Sequence, residues 1–171
     1  MRSLLLILLL ATQASTAAAQ DWPSRPVLMV NPFAAASAVD VVTRLVAQGL
    51  SQTSGKSFLV ENKTGASGNI GTEFVAKAKP DGYTFLVGSP GTIAINPYLF
   101  KKLPYDAEKD FVAVTTLVSF PQVLIVNPNL PVKTMDELTA YVKARAGKLN
   151  YSSAGIGTTS HLLMELVKAE E

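Results

Sequence analysis

The sequence contains no cysteine and a single histidine, and each scarcity removes a class of chemistry. Without cysteine there is no disulfide, no thiol nucleophile and no cysteine-ligated zinc or iron–sulfur site. One histidine excludes the paired-histidine motifs of zinc enzymes. Only 16% of the 171 residues are charged and the formal net charge is +2, which is too balanced for a nucleic-acid binder that neutralises phosphates. We therefore expect a folded globular chain with no metal, no cofactor and no nucleic-acid partner.

Residues 1–19 have the organisation of a secretory signal peptide. Arg2 precedes an apolar run over residues 4–10, and the alanines at 17–19 form a small-residue cleavage site. The run is far shorter than the roughly 20 apolar residues that cross a bilayer, which argues against a membrane anchor. We predict export to the periplasm, cleavage of the signal peptide and no membrane insertion afterwards.

After residue 20 the chain repeats a short apolar run, a loop of small residues and a helical period. The predicted strands are residues 27–30, 58–60 and 83–87. Helices are predicted between them: one begins after Ser37 as the N-cap and ends near Gly55, and the other covers residues 70–78. This order requires a parallel sheet with crossover helices, in which every strand end delivers its loop to the same edge.

The second part of the chain gives more varied signals. Residues 96–110 read as a surface excursion with one or two helical turns, and three further β-rich runs occupy residues 112–118, 123–126 and 149–152. Thr134 and Glu137 form a capping box that predicts a helix ending near Gly147. A last helix is predicted to begin at about His161. Because this part is short for an independent domain, the chain is expected to be the front of a longer protein.

No catalytic motif emerges from the sequence. It lacks both the G-x-S-x-G elbow and the Gly-Lys-Ser/Thr end of a phosphate-binding loop. Ser160 and His161 are sequence neighbours, which do not form a catalytic triad. The string GIGTTS at 155–160 matches only part of a dinucleotide-binding fingerprint. We expect no enzymatic activity, and a periplasmic hydrolase that uses His161 is the weaker alternative.

Four loops of small residues stand where strands give way to helices. They are FAAAS at 33–37, TGASGN at 64–69, GSPGT at 88–92 and SAGIGTTS at 153–160. Small residues let a ligand approach the main chain, and helix N-termini offer unpaired N–H groups with a favourable dipole. Several such ends at one sheet edge would cradle a carboxylate without Lys or Arg. Composition alone leaves open the alternative that the small residues only serve the turns.

Three stretches closely resemble a known family. They are WPSRPVLMVNPFAAASAVDVVTRLVAQGLS, VENKTGASGNIGTEFVAKAKPDGYTFLVGSPGTIAINPYLFKKLPYDAEKDFVAVT and KLNYSSAGIGTTSHLLMELVK. Within them PDGYT, INP, LPYD and SAG-G-TSH occur in order. They are similar to the periplasmic solute-binding receptors of tripartite tricarboxylate transporters, the Bug-type proteins. The likeness runs from Trp22 to about Lys168.

The resemblance implies a periplasmic-binding-protein-like α/β fold of two domains, with parallel-rich sheets and crossover helices. Residues 20–124 would form the first α/β domain and 125–171 the start of the second, which is incomplete because family members are much longer. The implied function is capture of a small di- or tricarboxylate in the inter-domain cleft and its delivery to membrane transporter subunits. A non-functional truncated remnant of such a receptor is the alternative.

The resemblance also implies the ligand contacts, which in the family are mostly main-chain groups and small hydroxyls. In the first domain they fall on Phe33, Ala35, Ala36, Ser37, Ser89 and Thr92. In the second domain they fall on Ser153, Ala154, Gly155, Gly157, Thr158, Thr159, Ser160 and His161. For His161, and for Asn96, structural support of the loop is an equal alternative to ligand contact.

This chain departs from the family pattern P-F-x-A-G-G-x-x-D at two positions. Ala36 and Ser37 stand where the family has glycines. If either position requires a positive φ, the replacement costs on the order of 1 kcal/mol. Ser37 would alternatively add a hydroxyl to the ligand site.

Overall fold

A three-stranded parallel sheet organises the first part of the chain. The computed structural model describes residues 21–169, so the predicted signal peptide lies outside the described residues. The strands are β1 (Val27–Asn31), β2 (Phe58–Asn62) and β3 (Thr84–Leu86), in the order β2-β1-β3. Met29 of β1 lies opposite Val60 on one side and Phe85 on the other. The predicted parallel sheet is confirmed.

Both crossovers are helical, as predicted. Helix α1 (Ala38–Ser54) joins β1 to β2, and helix α2 (Asn69–Ala76) joins β2 to β3. Ser37 caps α1, since its hydroxyl accepts a hydrogen bond from the N–H of Asp40 at 3.3 Å. Gly55 ends α1 with a φ of 67°, a left-handed conformation that glycine adopts without a steric penalty.

The hydrophobic core lies around the central strand. A buried cluster joins β1, α1, β2 and the end of β3 through Val27, Met29, Ala47, Phe58 and Val87. The side chains of Val27 and Val30 point to opposite faces of the sheet, and both residues are 0% exposed. Burial on both faces explains why this strand is a continuous apolar run rather than an alternating one.

Beyond β3 the chain forms a continuous helical segment at the carboxyl edge of the sheet. A π-helical turn over Gly91–Ile95 runs directly into helix α3 (Asn96–Leu99). The prediction of a surface excursion over 96–110 is wrong for two residues, because Asn96 and Tyr105 are buried. Hydrogen bonds between polar groups hold both of them there, and a hydrophobicity pattern does not reveal such bonds.

The second part of the chain contains two helices. Helix α4 (Met135–Lys143) has the predicted capping box: the Thr134 hydroxyl accepts from the Glu137 N–H at 3.2 Å, and the Glu137 carboxylate accepts from the Thr134 N–H at 3.3 Å. Helix α5 (Thr159–Ala169) begins two residues before the predicted His161.

The predicted strands at 112–118, 123–126 and 149–152 are wrong. These segments have no regular secondary structure and their side chains are exposed. A β-rich run becomes a strand only where a neighbouring strand offers main-chain partners. No described strand pairs with these segments, so their intrinsic preference is not realised. The domain boundary at 124/125 stays a prediction.

Candidate functional site

A buried carboxylate anchors the first loop, residues 32–37. Oδ2 of Asp40 accepts hydrogen bonds from the Ala36 N–H at 2.9 Å and from Nε of Arg44 at 3.0 Å, while Oδ1 accepts from Nδ2 of Asn62 at 2.8 Å. The Arg44 guanidinium holds the pKa of Asp40 well below its usual range, and the bonds from Asn62 and Ala36 act in the same direction. The negative charge of Asp40 is thus compensated by its own loop and helix.

Two asparagines at the ends of β1 and β2 hold the same loop through side-chain hydrogen bonds. The N–H of Phe33 donates to Oδ1 of Asn31 at 3.1 Å, and its carbonyl accepts from Nδ2 of Asn62 at 3.1 Å. Ala36 has a φ of 62°, so this position does require the left-handed conformation, whereas Ser37 has a φ of −67°. The strain anticipated at the replaced glycines therefore falls on Ala36 alone.

The second and third loops approach the first one closely. Gly68 has a φ of 89°, and a Cβ added there would lie 2.7 Å from Cγ2 of Thr92 and 3.5 Å from Cζ of Phe33. In the third loop, Ser89 and Thr92 bond reciprocally: the Ser89 N–H donates to the Thr92 hydroxyl at 3.2 Å, and the Thr92 N–H donates to the Ser89 hydroxyl at 3.3 Å. Three loops thus meet at the carboxyl edge of the sheet.

The fourth loop, residues 153–160, is held together by hydrogen bonds to its own small side chains. The Thr158 hydroxyl donates to the Gly155 carbonyl at 2.6 Å, and the Ser160 hydroxyl accepts from the Ala154 N–H at 3.3 Å. The Ser153 hydroxyl accepts from the Gly155 N–H at 3.3 Å. These bonds fold the segment into a compact turn directly before α5.

This turn contacts the loops of the first part of the chain. A Cβ added at Gly155 would lie 3.7 Å from Oγ of Ser67, and one added at Gly91 would lie 3.1 Å from the Gly157 carbonyl oxygen. The structure therefore brings all four small-residue loops together. Ser67, whose φ is 57°, is a site residue that the sequence analysis did not single out, although its loop was recognised.

The predicted site residues differ in how accessible they are. Ala35, Ala36, Ser153 and Ala154 are exposed. Thr92 and Gly157 are buried, so the structure places them beneath the loop surface rather than on it. The remaining predicted residues are half-buried: Phe33, Ser37, Ser89, Gly155, Thr158, Thr159, Ser160 and His161.

Two cations of the described residues, on elements that adjoin these loops, are paired with carboxylates. Arg44 bonds Asp40, and Nζ of Lys63 lies 2.6 Å from a carboxylate oxygen of Glu61 and 4.1 Å from the centre of the Phe74 ring. Since many of the loop N–H groups are bonded within the loops, what the loops offer is small hydroxyls and the first N–H groups of α1, which have no intrahelical partner. Over residues 21–169 no three potential metal ligands cluster together.

The imidazole of His161 contacts a main-chain amide and a carboxylate. Its Nδ1 accepts from the Gly157 N–H at 3.5 Å, and its Nε2 lies 3.9 Å from a Glu165 carboxylate oxygen. The neighbouring Ser160 hydroxyl is bonded to Ala154 and lies 3.1 Å from the Thr158 hydroxyl. No serine in the described part of the chain is hydrogen-bonded to this imidazole, which a Ser–His pair requires.

Comparison with known proteins identifies the family to which the chain belongs. The model of the tripartite tricarboxylate transporter family receptor matches residues 42–171. BugT of Bordetella pertussis is 36% identical over 154 residues, which are 90% of this chain and 47% of BugT. The chain belongs to this receptor family, and it spans about half the length of the curated relatives it matches. The predicted family is confirmed.

Solved structures confirm the predicted fold class as well. The chain is similar to R. palustris Rpa4515, solved with adipate, with a TM-score of 0.83 and 40% identity over 86% of this chain and 50% of the other. It is also similar to MatC from Rhodopseudomonas palustris, solved with bound malate, with a TM-score of 0.78 and 37% identity over 86% of this chain and 51% of that one. None of the helices within residues 21–169 has the length and apolar character needed to cross a membrane.

Proposed function

We propose that this chain belongs to an exported receptor that binds a small carboxylated organic acid and delivers it to a tripartite membrane transporter. The observation that carries the proposal is the convergence of four neutral loops at the carboxyl edge of the parallel sheet. Two similar structures support the ligand class, since one was solved with adipate and the other with malate. The signal-like residues 1–19 support a periplasmic location.

The loops suit a carboxylate because of what they offer and what they lack. The first residues of α1 and α5 present main-chain N–H groups without intrahelical partners at the positive end of a helix dipole. Arg44 and Lys63 are already paired with Asp40 and Glu61, so the proposed binding of the carboxylate does not rely on their charges. Small side chains leave the main chain open to a ligand carboxylate. Binding would involve no covalent step.

A titration followed by amide chemical shifts tests this proposal. We expect adipate and malate to shift the amide signals of residues 33–38, 89, 91–92 and 155–160 in the 15N-labelled chain. Hexane-1,6-diol, which has the length of adipate without its charges, is the matched control and should shift none of them. Equal shifts with the diol, or shifts confined to other parts of the chain, would contradict a carboxylate site in these loops.

A further inference from the structure

One buried acceptor, Oδ1 of Asn96, lies between the helical segment 91–99 and the turn at 155–158 and has no hydrogen-bond partner. Asn96 is 0% exposed, and its Nδ2 donates to Oδ1 of Asn69 at 2.7 Å. Its Oδ1 has no hydrogen bond, and among the buried side-chain polar atoms of residues 21–169 it is the only one in this position. Buried polar groups are almost always hydrogen-bonded, so this oxygen requires an explanation.

The main chain opposite this oxygen is that of Gly157. A Cβ added at Gly157 would lie 2.5 Å from Oδ1 of Asn96 and 3.0 Å from Cδ2 of Leu99, and the residue has a φ of 82°. Only glycine allows the turn to come this close. The N–H of Gly157 has one acceptor, Nδ1 of His161 at 3.5 Å, which is beyond the usual hydrogen-bond range. The backbone of Gly157 therefore lies next to the unused acceptor, and its N–H has only a long bond elsewhere.

We propose that Asn96 is a positioning residue for the turn at 155–158, and that its Oδ1 accepts a hydrogen bond from the main-chain N–H of Gly157. A small rotation of the turn that directs the Gly157 N–H toward Asn96 exchanges the long bond to His161 for a short one to Asn96. The bond fixes the turn against the helical segment 91–99.

The remaining contacts of Asn96 explain why it can hold the turn in register. Oδ1 of Asn69 accepts from Asn96 and lies 2.8 Å from the Tyr105 hydroxyl, which also lies 2.7 Å from the Thr92 carbonyl oxygen. The Asn96 amide is thus oriented by the same buried cluster that supports the third loop. The inference rests on the proposed function in one respect, namely that this turn forms one wall of the carboxylate site.

A direct measurement on the wild-type chain tests the bond without any substitution. A long-range HNCO experiment detects coupling across a hydrogen bond, and we expect a correlation between the amide nitrogen of Gly157 and Cγ of Asn96. A nitrogen–nitrogen coupling between Gly157 and Nδ1 of His161 instead, or no coupling at all, overturns the proposal. The measurement requires no ligand, so its outcome does not depend on the proposed function.

Matched variants test the same bond by amide hydrogen exchange. We expect exchange at Gly157 to be at least about tenfold faster in Asn96→Ala and unchanged in His161→Ala. Faster exchange in His161→Ala overturns the proposal, and this arm holds even if Asn96→Ala does not fold. Adipate affinity should fall about threefold to tenfold in Asn96→Ala. A wild-type chain that shows the coupling but binds neither adipate nor malate supports the bond and refutes the proposed function. A wild-type chain that binds adipate or malate without the coupling supports the proposed function and refutes the bond.

Discussion

Replacement of Ala36 by glycine should stabilise the protein. Ala36 has a φ of 62°, a conformation that costs an L-residue with a Cβ roughly 1–2 kcal/mol. Glycine removes this cost but adds about 0.4–1 kcal/mol of conformational entropy to the unfolded chain. The midpoints of these two ranges give a net gain of about 0.8 kcal/mol in the free energy of unfolding. For a chain of 171 residues this corresponds to a Tm higher by about 1–4 °C.

Ala35→Gly is the matched control. Ala35 is exposed, adjacent in the same loop, and is not among the described residues with positive φ. Its replacement should lower stability by a few tenths to about 1 kcal/mol, because only the unfolded-state entropy changes. Urea denaturation of both variants measures the difference. If Ala36→Gly destabilises the protein as much as Ala35→Gly does, the backbone strain inferred at Ala36 is refuted.

Two further predictions concern glycine packing and pH. Gly68→Ala should lower the free energy of unfolding by about 1–3 kcal/mol, because the new methyl would lie 2.7 Å from Cγ2 of Thr92. Gly49→Ala in α1, which has open space around it, should raise the free energy of unfolding by about 0.5–1 kcal/mol. Equal effects of the two variants in calorimetry would contradict the close packing of the loops. Because folding lowers the pKa of Asp40, this carboxylate stabilises the folded state at any pH above its ordinary pKa of 3.8. The stabilisation is lost as the pH falls below that value. The stability difference between wild type and Asp40→Asn, from urea titrations, should narrow below pH 3.8, and a constant difference would argue against the Asp40 network.

Elements with strong local signals could be predicted from the sequence. Helix α1 has a cap at Ser37, an apolar stripe and a stop at Gly55, and each is a property of a few neighbouring residues. The same holds for the capping box of α4. The strands expected at 112–118, 123–126 and 149–152 failed because pairing depends on a partner strand that local composition does not contain.

The candidate site, like the fold, could be predicted only in part from the sequence. The small-residue loops are visible in the sequence, and a parallel sheet brings strand ends to one edge, so their convergence follows from the strand order. The anchoring of Phe33 by Asn31 and Asn62 had a weaker signal, since each asparagine follows an apolar run within two residues. The approach of Gly157 to Asn96 joins residues 61 positions apart and had no signal in the sequence beyond the presence of a glycine.

The central claim is that main-chain N–H groups at the start of the helices hold the carboxylate. Ala38→Pro removes the first N–H of α1 without breaking an intrahelical bond, and Ser37, with φ −67° and ψ 160°, already has the conformation that a following proline requires. Calorimetric titration with adipate should show affinity lower by about tenfold or more in Ala38→Pro, with an unchanged Tm, and wild-type affinity in Ala38→Ser. Undiminished adipate binding by the proline variant would contradict the claim.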